Sequence, residues 1–162
     1  MAIFYLGVGS NIGNREANCL NSLEHLKKRG IVIRKCSAMY ETEPWGKQDQ
    51  PRFINMAVEA ETDMSPENLL DLLKNIEHAM GREETTRWGP RVIDLDILFY
   101  DDGIVTSERL HLPHPMLHVR EFVLIPLVDI APDKMHPTLH KTIRELWEDL
   151  THDKSAQRKK QG

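Results

Sequence analysis

Cysteines and long apolar runs are scarce in this sequence. Its two cysteines, Cys19 and Cys36, form no Cys-x-x-Cys pair, which argues against a disulfide framework and against a zinc ribbon. No apolar run approaches the roughly 20 residues that a membrane-spanning helix needs. Residues 1–8 also lack the basic side chains of a leader peptide. These absences predict a cytoplasmic protein that depends on a hydrophobic core for its stability.

Excess positive charge is missing as well. Lysine and arginine number 21 against 25 acidic residues, so the formal net charge is −4. A general nucleic-acid-binding protein normally has a basic surface, and any anion site here must therefore be local. The length of 162 residues fits one domain. We expect that domain to cover residues 1–151, with a disordered polar tail over residues 152–162, which have no large apolar side chain to anchor them.

The strongest chemical signal lies in residues 87–100. Gly89-Pro90 breaks the backbone, and the residues from Val92 onward are apolar except for Asp94 and Asp96, a pattern that predicts a strand. Side chains alternate between the faces of a strand, so the two carboxylates would share a face, with their Cα atoms roughly 6.5 Å apart. The opposite face would carry Ile93, Leu95, Ile97 and Phe99.

Paired carboxylates on such a strand repel each other unless a cation lies between them. Their hard oxygen atoms suit Mg²⁺, either one ion or two ions bridged by a phosphate chain. Arg82, Arg87 and Arg91 lie nearby, and guanidinium groups bind phosphate oxygens through paired hydrogen bonds. Together these groups indicate phosphoryl transfer. Two simpler readings stay open: carboxylates on the solvated face of an edge strand, and a basic loop paired with Glu83 and Glu84.

The hydrophobic pattern predicts an α+β fold. Residues 2–8 form an apolar strand that would end in a glycine-rich turn over residues 7–13, whose spacing fits no phosphate-binding loop. The next predicted elements are a helix over 14–30, strands over 31–40 and 53–61, a helix over 65–81, and the strand with the aspartates. This βαββαβ order is that of a ferredoxin-like core, an antiparallel sheet with both helices packed on one face. A hairpin (104–105 with 110–112) and a C-terminal helix (142–150) would be added to it.

Two candidate ligand contacts lie on the third predicted strand. Phe53 and Asn55 alternate with apolar residues and would share a face. An amide can donate and accept along the edge of a heteroaromatic ring, and a phenyl ring can stack on its face. The alternative is a ring at the edge of the core and an amide bonded to the backbone. His111, His114 and His118 stand among prolines, which favours contact with a nucleotide over a zinc site.

The run over residues 87–98 resembles the signature of the 6-hydroxymethyl-7,8-dihydropterin pyrophosphokinase family, and the similarity extends over residues 3–132. The resemblance implies magnesium-dependent transfer of pyrophosphate from ATP to the pterin alcohol, with release of AMP, in folate biosynthesis. It also implies two Mg²⁺ ions, ATP as co-substrate, and a monomer that binds neither nucleic acid nor membrane.

The resemblance assigns roles to particular residues. Asp94 and Asp96 would hold the Mg²⁺ ions, and Arg82 and Arg91 would act with them in catalysis. The pterin would be bound by Thr42, Glu43, Trp45, Phe53, Asn55, Trp88 and Phe122. ATP would be contacted by Glu77, Arg82, Arg87, Trp88, Arg91, Ile97, Arg109, His111, His114 and Arg120. Two positions depart from the family pattern: Glu84 stands where many members have arginine, and His111 where a small hydroxyl residue can occur.

Two other functions remain open at this point. The Asp94-Leu95-Asp96 run also matches the DxD metal motif of nucleotide-sugar transferases, although 162 residues are few for such an enzyme. The predicted strand order also occurs in RNA-binding modules whose sheet aromatics stack on bases. The net negative charge and the lack of the aromatic strand pattern of those modules argue against RNA binding.

Overall fold

The structure, a computed structural model, describes residues 1–42, 50–81 and 91–161, with side chains as far as residue 152. The strands of its main sheet are β1 (Ala2–Ser10), β2 (Val32–Cys36), β3 (Tyr40–Thr42), β4 (Phe53–Thr62) and β5 (Asp94–Tyr100). The sheet is antiparallel, with the order β2-β4-β1-β5, and β3 also pairs with β4. The long central strands β1 and β4 are therefore paired on both edges.

Helices cover both faces of this sheet. Within the described part of the chain they are α1 (Arg15–Lys28), α2 (Pro66–Ala79), α3 (Glu121–Ile130) and α4 (Ile143–Gln161), with a short 3₁₀ helix at Leu117–Val119. Strands β6 (Val105–Thr106) and β7 (His111–Leu112) form a separate antiparallel pair between β5 and α3. No helix in the described ranges is long and apolar enough to cross a bilayer.

Helices α1 and α2 begin where the sequence predicts, because their first turns are capped by side chains. The Asn14 side-chain oxygen accepts the N–H of Ala17 at 3.2 Å, and the Ser65 hydroxyl accepts the N–H of Asn68 at 3.2 Å. Pro66 occupies the first helical position of α2, where its missing N–H costs no hydrogen bond. Both predicted helix starts are confirmed.

Two hydrophobic cores lie on opposite faces of the sheet. Helices α1 and α2 pack on one face, as predicted, and α3, α4 and the 3₁₀ helix pack on the other. The first core includes Phe4, Leu6, Leu26, Leu69, Leu73 and Ile76, all fully buried. The second includes Tyr5, Leu98, Phe99, Leu124, Leu127 and Ile143. Burial on both faces explains why β4 is an almost continuously buried strand.

The prediction that Phe99 lies opposite the aspartates is wrong. In the pairing of β1 with β5, Leu6 lies opposite Ile97, but Tyr5 lies opposite Phe99, so Leu98 is an extra residue in β5. Such a bulge reverses the alternation of side chains beyond it. Phe99 therefore packs edge-on against Tyr5 in the second core, with ring centroids 5.9 Å apart.

The strand predicted over residues 31–40 is divided into β2 and β3. At the break, the N–H of Ser37 donates to the Ala57 carbonyl at 2.9 Å, and the Ser37 hydroxyl accepts the Ala57 N–H at 2.8 Å. The hydroxyl thus replaces a main-chain acceptor of the ladder. Both short strands stay paired with β4 although their ladder is interrupted.

Two other element boundaries differ from the predictions. Strand β1 continues to Ser10, so Gly7 and Gly9 belong to a strand and not to the predicted turn. Helix α4 continues to Gln161, past residue 150, where the apolar pattern and the predicted helix end. Residues 152–161 contain no glycine or proline, and most of them favour helical conformation.

Candidate active site

The predicted metal ligands lie on β5, next to the glycines of the central strand β1. Gly9 of β1 lies opposite Asn55 of β4 on one side and opposite Asp94 of β5 on the other. Two residues earlier, Gly7 lies opposite Asp96. Directly opposed residues of antiparallel strands project from the same face of a sheet. The prediction that Asp94 and Asp96 share a face is therefore confirmed, and Asn55 shares it with them.

These side chains open on a cleft between the sheet and helix α3. Helix α3 contributes Phe122, Val123 and Pro126 to the far wall of the cleft. Although β5 is at an edge of the sheet, Asp94 and Asp96 line this cleft and do not simply face open solvent. Clefts with apolar walls and a few convergent polar groups are typical sites for small ligands.

The two glycines of β1 form the floor of the cleft, and Gly9 permits a close approach of the Asn55 side chain. A Cβ atom on Gly9 would lie 2.7 Å from Oδ1 of Asn55 and 3.5 Å from Cδ1 of Phe53. A Cβ atom on Gly7 would meet only the Leu98 side chain, at 3.6 Å, which is ordinary contact. Sequence reasoning assigned both glycines to a turn, but their i, i+2 spacing within an apolar run was the available signal.

The predicted pterin contacts on β3 and β4 lie together. Thr42 is paired with Phe53, and the Asn55 side chain donates from Nδ2 to Oγ1 of Thr42 at 2.5 Å. Asn55 is 8% exposed and Phe53 is partly buried. A side-chain partner, the Thr42 hydroxyl, therefore orients the Nδ2 end of the Asn55 amide. Phe122 lines the same cleft from the first turn of α3.

Hydrogen bonds join β3 to helix α3, the element that forms the far wall of the cleft. The Tyr40 hydroxyl on β3 donates to both carboxylate oxygens of Asp129 on α3, at 2.8 and 2.7 Å. The same carboxylate accepts the N–H of Ala38 at 3.2 Å. The strand that carries Thr42 and the helix that carries Phe122 are therefore joined by direct hydrogen bonds.

Two predicted ATP contacts lie beneath the aspartates, on the other side of β5. Glu77 of α2 is 4% exposed, and its Oε2 accepts the N–H of Leu95, the residue between the two aspartates, at 2.8 Å. The Ile97 side chain is 4% exposed and packs in the first core. The Ile97 side chain therefore does not line the cleft, because the alternation of β5 directs it toward α1 and α2.

Two further predicted ATP contacts lie on the hairpin after β5. The Arg109 guanidinium pairs with Asp71 and Glu67 on α2. His111 is exposed on β7, opposite Thr106. Neither residue lines the cleft between the sheet and α3.

His114 and Arg120 lie between the hairpin and α3. The backbone N–H of His114 donates to the Leu98 carbonyl at 3.0 Å, and ring atom Nδ1 accepts the N–H of Met116 at 3.2 Å. Burial first, and then the positive charge of Arg120, lower the pKa of His114 to about 4. His114 is therefore neutral at pH 7, with its proton on Nε2, and can act as a hydrogen-bond donor there. Arg120 is 7% exposed, and its Cζ lies 5.7 Å from the centre of the Phe122 ring.

We expect His114→Gln to reduce the acid sensitivity of the fold. Because the pKa of His114 is lowered in the folded protein, the unfolded chain binds the proton more readily, and stability falls as the pH drops from about 6.5 towards 4. At pH 4.5 the lowered pKa of His114 reduces the free energy of unfolding by at most about 2.5 kcal/mol. Solvent screening at this partly exposed ring makes the reduction smaller. Urea unfolding gives the free energy of unfolding at pH 7 and at pH 4.5. The difference between these two values should be smaller for the variant than for the wild type.

The exposed His111→Gln variant is the control for this measurement and should keep the wild-type difference. The pKa of His136 is also lowered, mainly by burial, so His114→Gln removes only part of the slope. An equal pH 7 to pH 4.5 difference in wild type and His114→Gln would contradict the assignment.

Asn11 is a buried residue directly after β1 that was not among the predicted site residues. Its N–H donates to the Arg91 carbonyl at 3.0 Å, and its Oδ1 accepts the Arg91 N–H at 2.7 Å. Its Nδ2 donates to Gln50 and to the carbonyl of Pro51. Since its partners are distant in the chain, no local sequence pattern could have identified them.

Several predicted site residues lie outside the described ranges. They are Glu43, Trp45, Arg82, Arg87 and Trp88, and Glu84 lies there as well. Arg91 is the first described residue after that gap and is partly buried.

The donor set suits Mg²⁺ better than a transition metal. In the described ranges no group of three or more His, Cys, Asp or Glu side chains is arranged to hold a metal ion. Asp94 and Asp96 supply only carboxylate oxygens on the cleft. Mg²⁺ is commonly held by one or two carboxylates, with substrate phosphates and waters completing its octahedron. The residues present therefore fit Mg²⁺ that is bound together with a phosphate-bearing substrate.

The chain resembles solved structures in fold over most of its length. It superimposes on Plasmodium falciparum HPPK-DHPS with a TM-score of 0.78, covering 96% of this chain and 46% of that chain. The sequence identity is 20%, so this likeness concerns the fold alone.

Sequence relatives give closer matches. The chain is 46% identical over 144 residues to the folic acid synthesis protein FOL1 of Dictyostelium discoideum, covering 89% of this chain but 22% of that protein. It is 49% identical over 130 residues to the 2-amino-4-hydroxy-6-hydroxymethyldihydropteridine pyrophosphokinase of Methylorubrum extorquens, covering 80% of this chain and 82% of the relative. A family model described as 7,8-dihydro-6-hydroxymethylpterin-pyrophosphokinase (HPPK) matches residues 5–132. With aspartates and amide in one cleft and most of its length matched, the chain belongs to this pyrophosphokinase family.

Proposed function

We propose that the chain transfers pyrophosphate from ATP to 6-hydroxymethyl-7,8-dihydropterin and releases AMP, a step of folate biosynthesis, with Mg²⁺ required. The observation that carries this proposal is that a carboxylate pair and the Asn55 amide open on the same cleft, on either side of two glycines, with the Phe122 ring on the facing wall. Membership of the pyrophosphokinase family supports the same reaction.

The spacing across the sheet fits two substrates held side by side. Neighbouring strands lie about 4.8 Å apart, so Asn55 and Asp94, on opposite sides of Gly9, are separated by roughly 10 Å at the backbone. A pterin ring whose edge meets Asn55 would direct its hydroxymethyl group across the glycines towards phosphates held near Asp94. We infer that Thr42, Phe53, Asn55 and Phe122 bind the ring.

The remaining residues would position the nucleotide. When bound, Mg²⁺ neutralises phosphate charge and aligns the phosphates, and Asp94 and Asp96 would hold it, with two ions as the proposed number. Arg91 would direct its guanidinium to the phosphates, together with Arg82 and Arg87. Neutral His114 would donate from Nε2, and Arg120 would add positive charge nearby.

The proposed reaction is an in-line displacement at the β-phosphorus of ATP. The hydroxymethyl oxygen of the pterin forms the new P–O bond, and the bond from the β-phosphorus to the α–β bridging oxygen breaks, so AMP leaves. Positioning and charge neutralisation supply most of the catalysis in such transfers, and no strong general base is required. The cleft would exclude water from the reacting phosphates.

Finer features of the molecule belong to the same proposal. The strand order β2-β4-β1-β5, with α1 and α2 on one face, supports a ferredoxin-like core extended by the β6–β7 hairpin and by α3 and α4. We propose that residues 1–151 form one domain that acts as a monomer in the cytoplasm. Glu77, Ile97, Arg109 and His111 would contact ATP, Ile97 through its backbone because its side chain is in the core.

An assay for AMP tests the proposed function. The protein is mixed with Mg²⁺, ATP and 6-hydroxymethyl-7,8-dihydropterin, and AMP and the pterin pyrophosphate are quantified. We expect both products in equal amounts, and none when 6-methyl-7,8-dihydropterin, which lacks the nucleophilic hydroxyl group, replaces the substrate. Absence of AMP with the hydroxymethyl compound, or equal AMP with both pterins, would overturn the proposal.

A further inference from the structure

Asn11 makes hydrogen bonds in two directions from a buried position. It follows β1 directly and is 1% exposed. Towards β5, its Oδ1 accepts the Arg91 N–H at 2.7 Å and its N–H donates to the Arg91 carbonyl at 3.0 Å. Towards β4, its Nδ2 donates to Oε1 of Gln50 at 2.8 Å and to the carbonyl of Pro51 at 3.0 Å.

The two partners of Asn11 lead into the two sides of the cleft. Arg91 enters β5 just before Asp94, and Pro51 enters β4 just before Phe53 and Asn55. One side chain therefore fixes the start of the strand with the carboxylates relative to the start of the strand with the amide. A displacement of either start would strain or break hydrogen bonds to the other.

The orientation of the Asn11 amide is determined by its partners. The Arg91 N–H can only donate, so it requires Oδ1 on its side, and the Pro51 carbonyl can only accept, so it requires Nδ2. Exchanging the two atoms would break both contacts in a buried site, at a cost typical of unsatisfied polar groups. The bridge therefore has one stable arrangement.

A purely structural role would be to brace the turn after β1. Asn18 already does this, because its Nδ2 donates to the Ser10 hydroxyl at 3.2 Å and to the Ile12 carbonyl at 2.8 Å. These bonds of Asn18 stay within that turn, whereas those of Asn11 reach the segments that lead into β5 and β4. This difference provides a matched control on the same turn.

We propose that Asn11 is a positioning residue that couples the pterin side of the cleft to its metal side, so that nucleotide binding strengthens pterin binding and the reverse. This inference rests on the proposed function, and it assigns no contact between Asn11 and a substrate. Coupling between two sites is reciprocal in binding free energy, so either ligand can report it.

The experiment measures pterin affinity of the full chain with and without an α,β-methylene analogue of ATP and Mg²⁺. In the wild type we expect the analogue to strengthen pterin binding. In Asn11→Ala, which lacks both bridges, the strengthening should fall at least about fivefold. In Asn18→Ala it should stay at the wild-type value, because the bridge between Arg91 and Pro51 is kept.

Asn11→Asp separates the two directions of the bridge. Its carboxylate can still accept the Arg91 N–H, but it cannot donate to Gln50 or Pro51 and would repel their oxygen atoms. We expect the KM for the pterin to rise more than the KM for ATP. A residue that only braces the turn would change both constants together, as Asn18→Ala would.

The outcomes distinguish the inference from the proposed function. A wild-type protein that forms no AMP overturns the proposed function and this inference with it. An active wild type in which Asn11→Ala and Asn18→Ala show the same coupling overturns the inference alone, as does a wild type without coupling. If Asn11→Ala does not fold by circular dichroism, Asn11→Asp decides: equal changes in the two KM values would overturn the inference.

Discussion

Asp96→Ala is expected to lower turnover at least about thousandfold while the fold is kept, which corresponds to a loss of roughly 4 kcal/mol of transition-state stabilisation. Asp96 supplies one of the two carboxylates that open on the cleft, so its removal takes away half of the negative charge proposed to hold Mg²⁺ against the phosphates. The substitution also removes one of two neighbouring like charges, so the melting temperature without Mg²⁺ should not fall. Steady-state AMP formation and thermal unfolding measure the two effects.

Two companion variants make the Asp96 result interpretable. Asp96→Asn keeps the size of the side chain and removes its charge, and it should lose nearly as much activity as Asp96→Ala. Asp63→Ala, at an exposed aspartate beyond the end of β4, should keep wild-type turnover. Near-normal turnover of Asp96→Ala at saturating Mg²⁺ would contradict the role proposed for this carboxylate.

Gly9→Ala is expected to weaken pterin binding at least about tenfold, or roughly 1.4 kcal/mol. The added methyl group would lie 2.7 Å from Oδ1 of Asn55, so the amide must rotate and give up its hydrogen bond to Thr42. Since the clash is with a side chain and not with backbone, the sheet itself should persist. Isothermal titration calorimetry with 6-hydroxymethyl-7,8-dihydropterin measures the change in the dissociation constant.

Gly7→Ala is the matched comparison for Gly9→Ala. Its methyl group would meet only the Leu98 side chain, at 3.6 Å, and should therefore change pterin affinity much less. Equal losses for the two variants would mean that narrowing of the cleft, and not displacement of Asn55, causes the weaker binding.

The local pattern of β5 predicted the face of each side chain correctly as far as Ile97 and failed after it. Alternation placed Asp94 and Asp96 together because each residue before Leu98 has one partner in β1. The extra residue Leu98 then reverses the alternation and brings Phe99 to the opposite core. A bulge has no reliable local composition, so only pairing with β1 could reveal it.

The glycines of β1 and helix α3 show a second reason why sequence patterns did not predict the whole structure. Gly7 and Gly9 were assigned to a turn because glycine is common there, whereas the close approach of Asn55 makes Gly9 necessary inside a strand. The apolar run from Glu121 to Ile130 received no assignment, since short apolar runs are ambiguous and Pro126 lies within it. Its helical form provides the wall that carries Phe122, a position that the resemblance alone had marked.

The hydrogen bonds of Asp129 have a consequence for how a flat ring would be gripped. Tyr40 and Ala38 hold α3 against β3, the strand that carries Thr42. The two walls of the proposed ring site are therefore joined by hydrogen bonds without a bound ligand. A ligand then binds between two walls that are already positioned, so ordering these walls costs little binding free energy. Non-planar ring systems should consequently bind more weakly than flat aromatic ones, even when their edges can form the same hydrogen bonds.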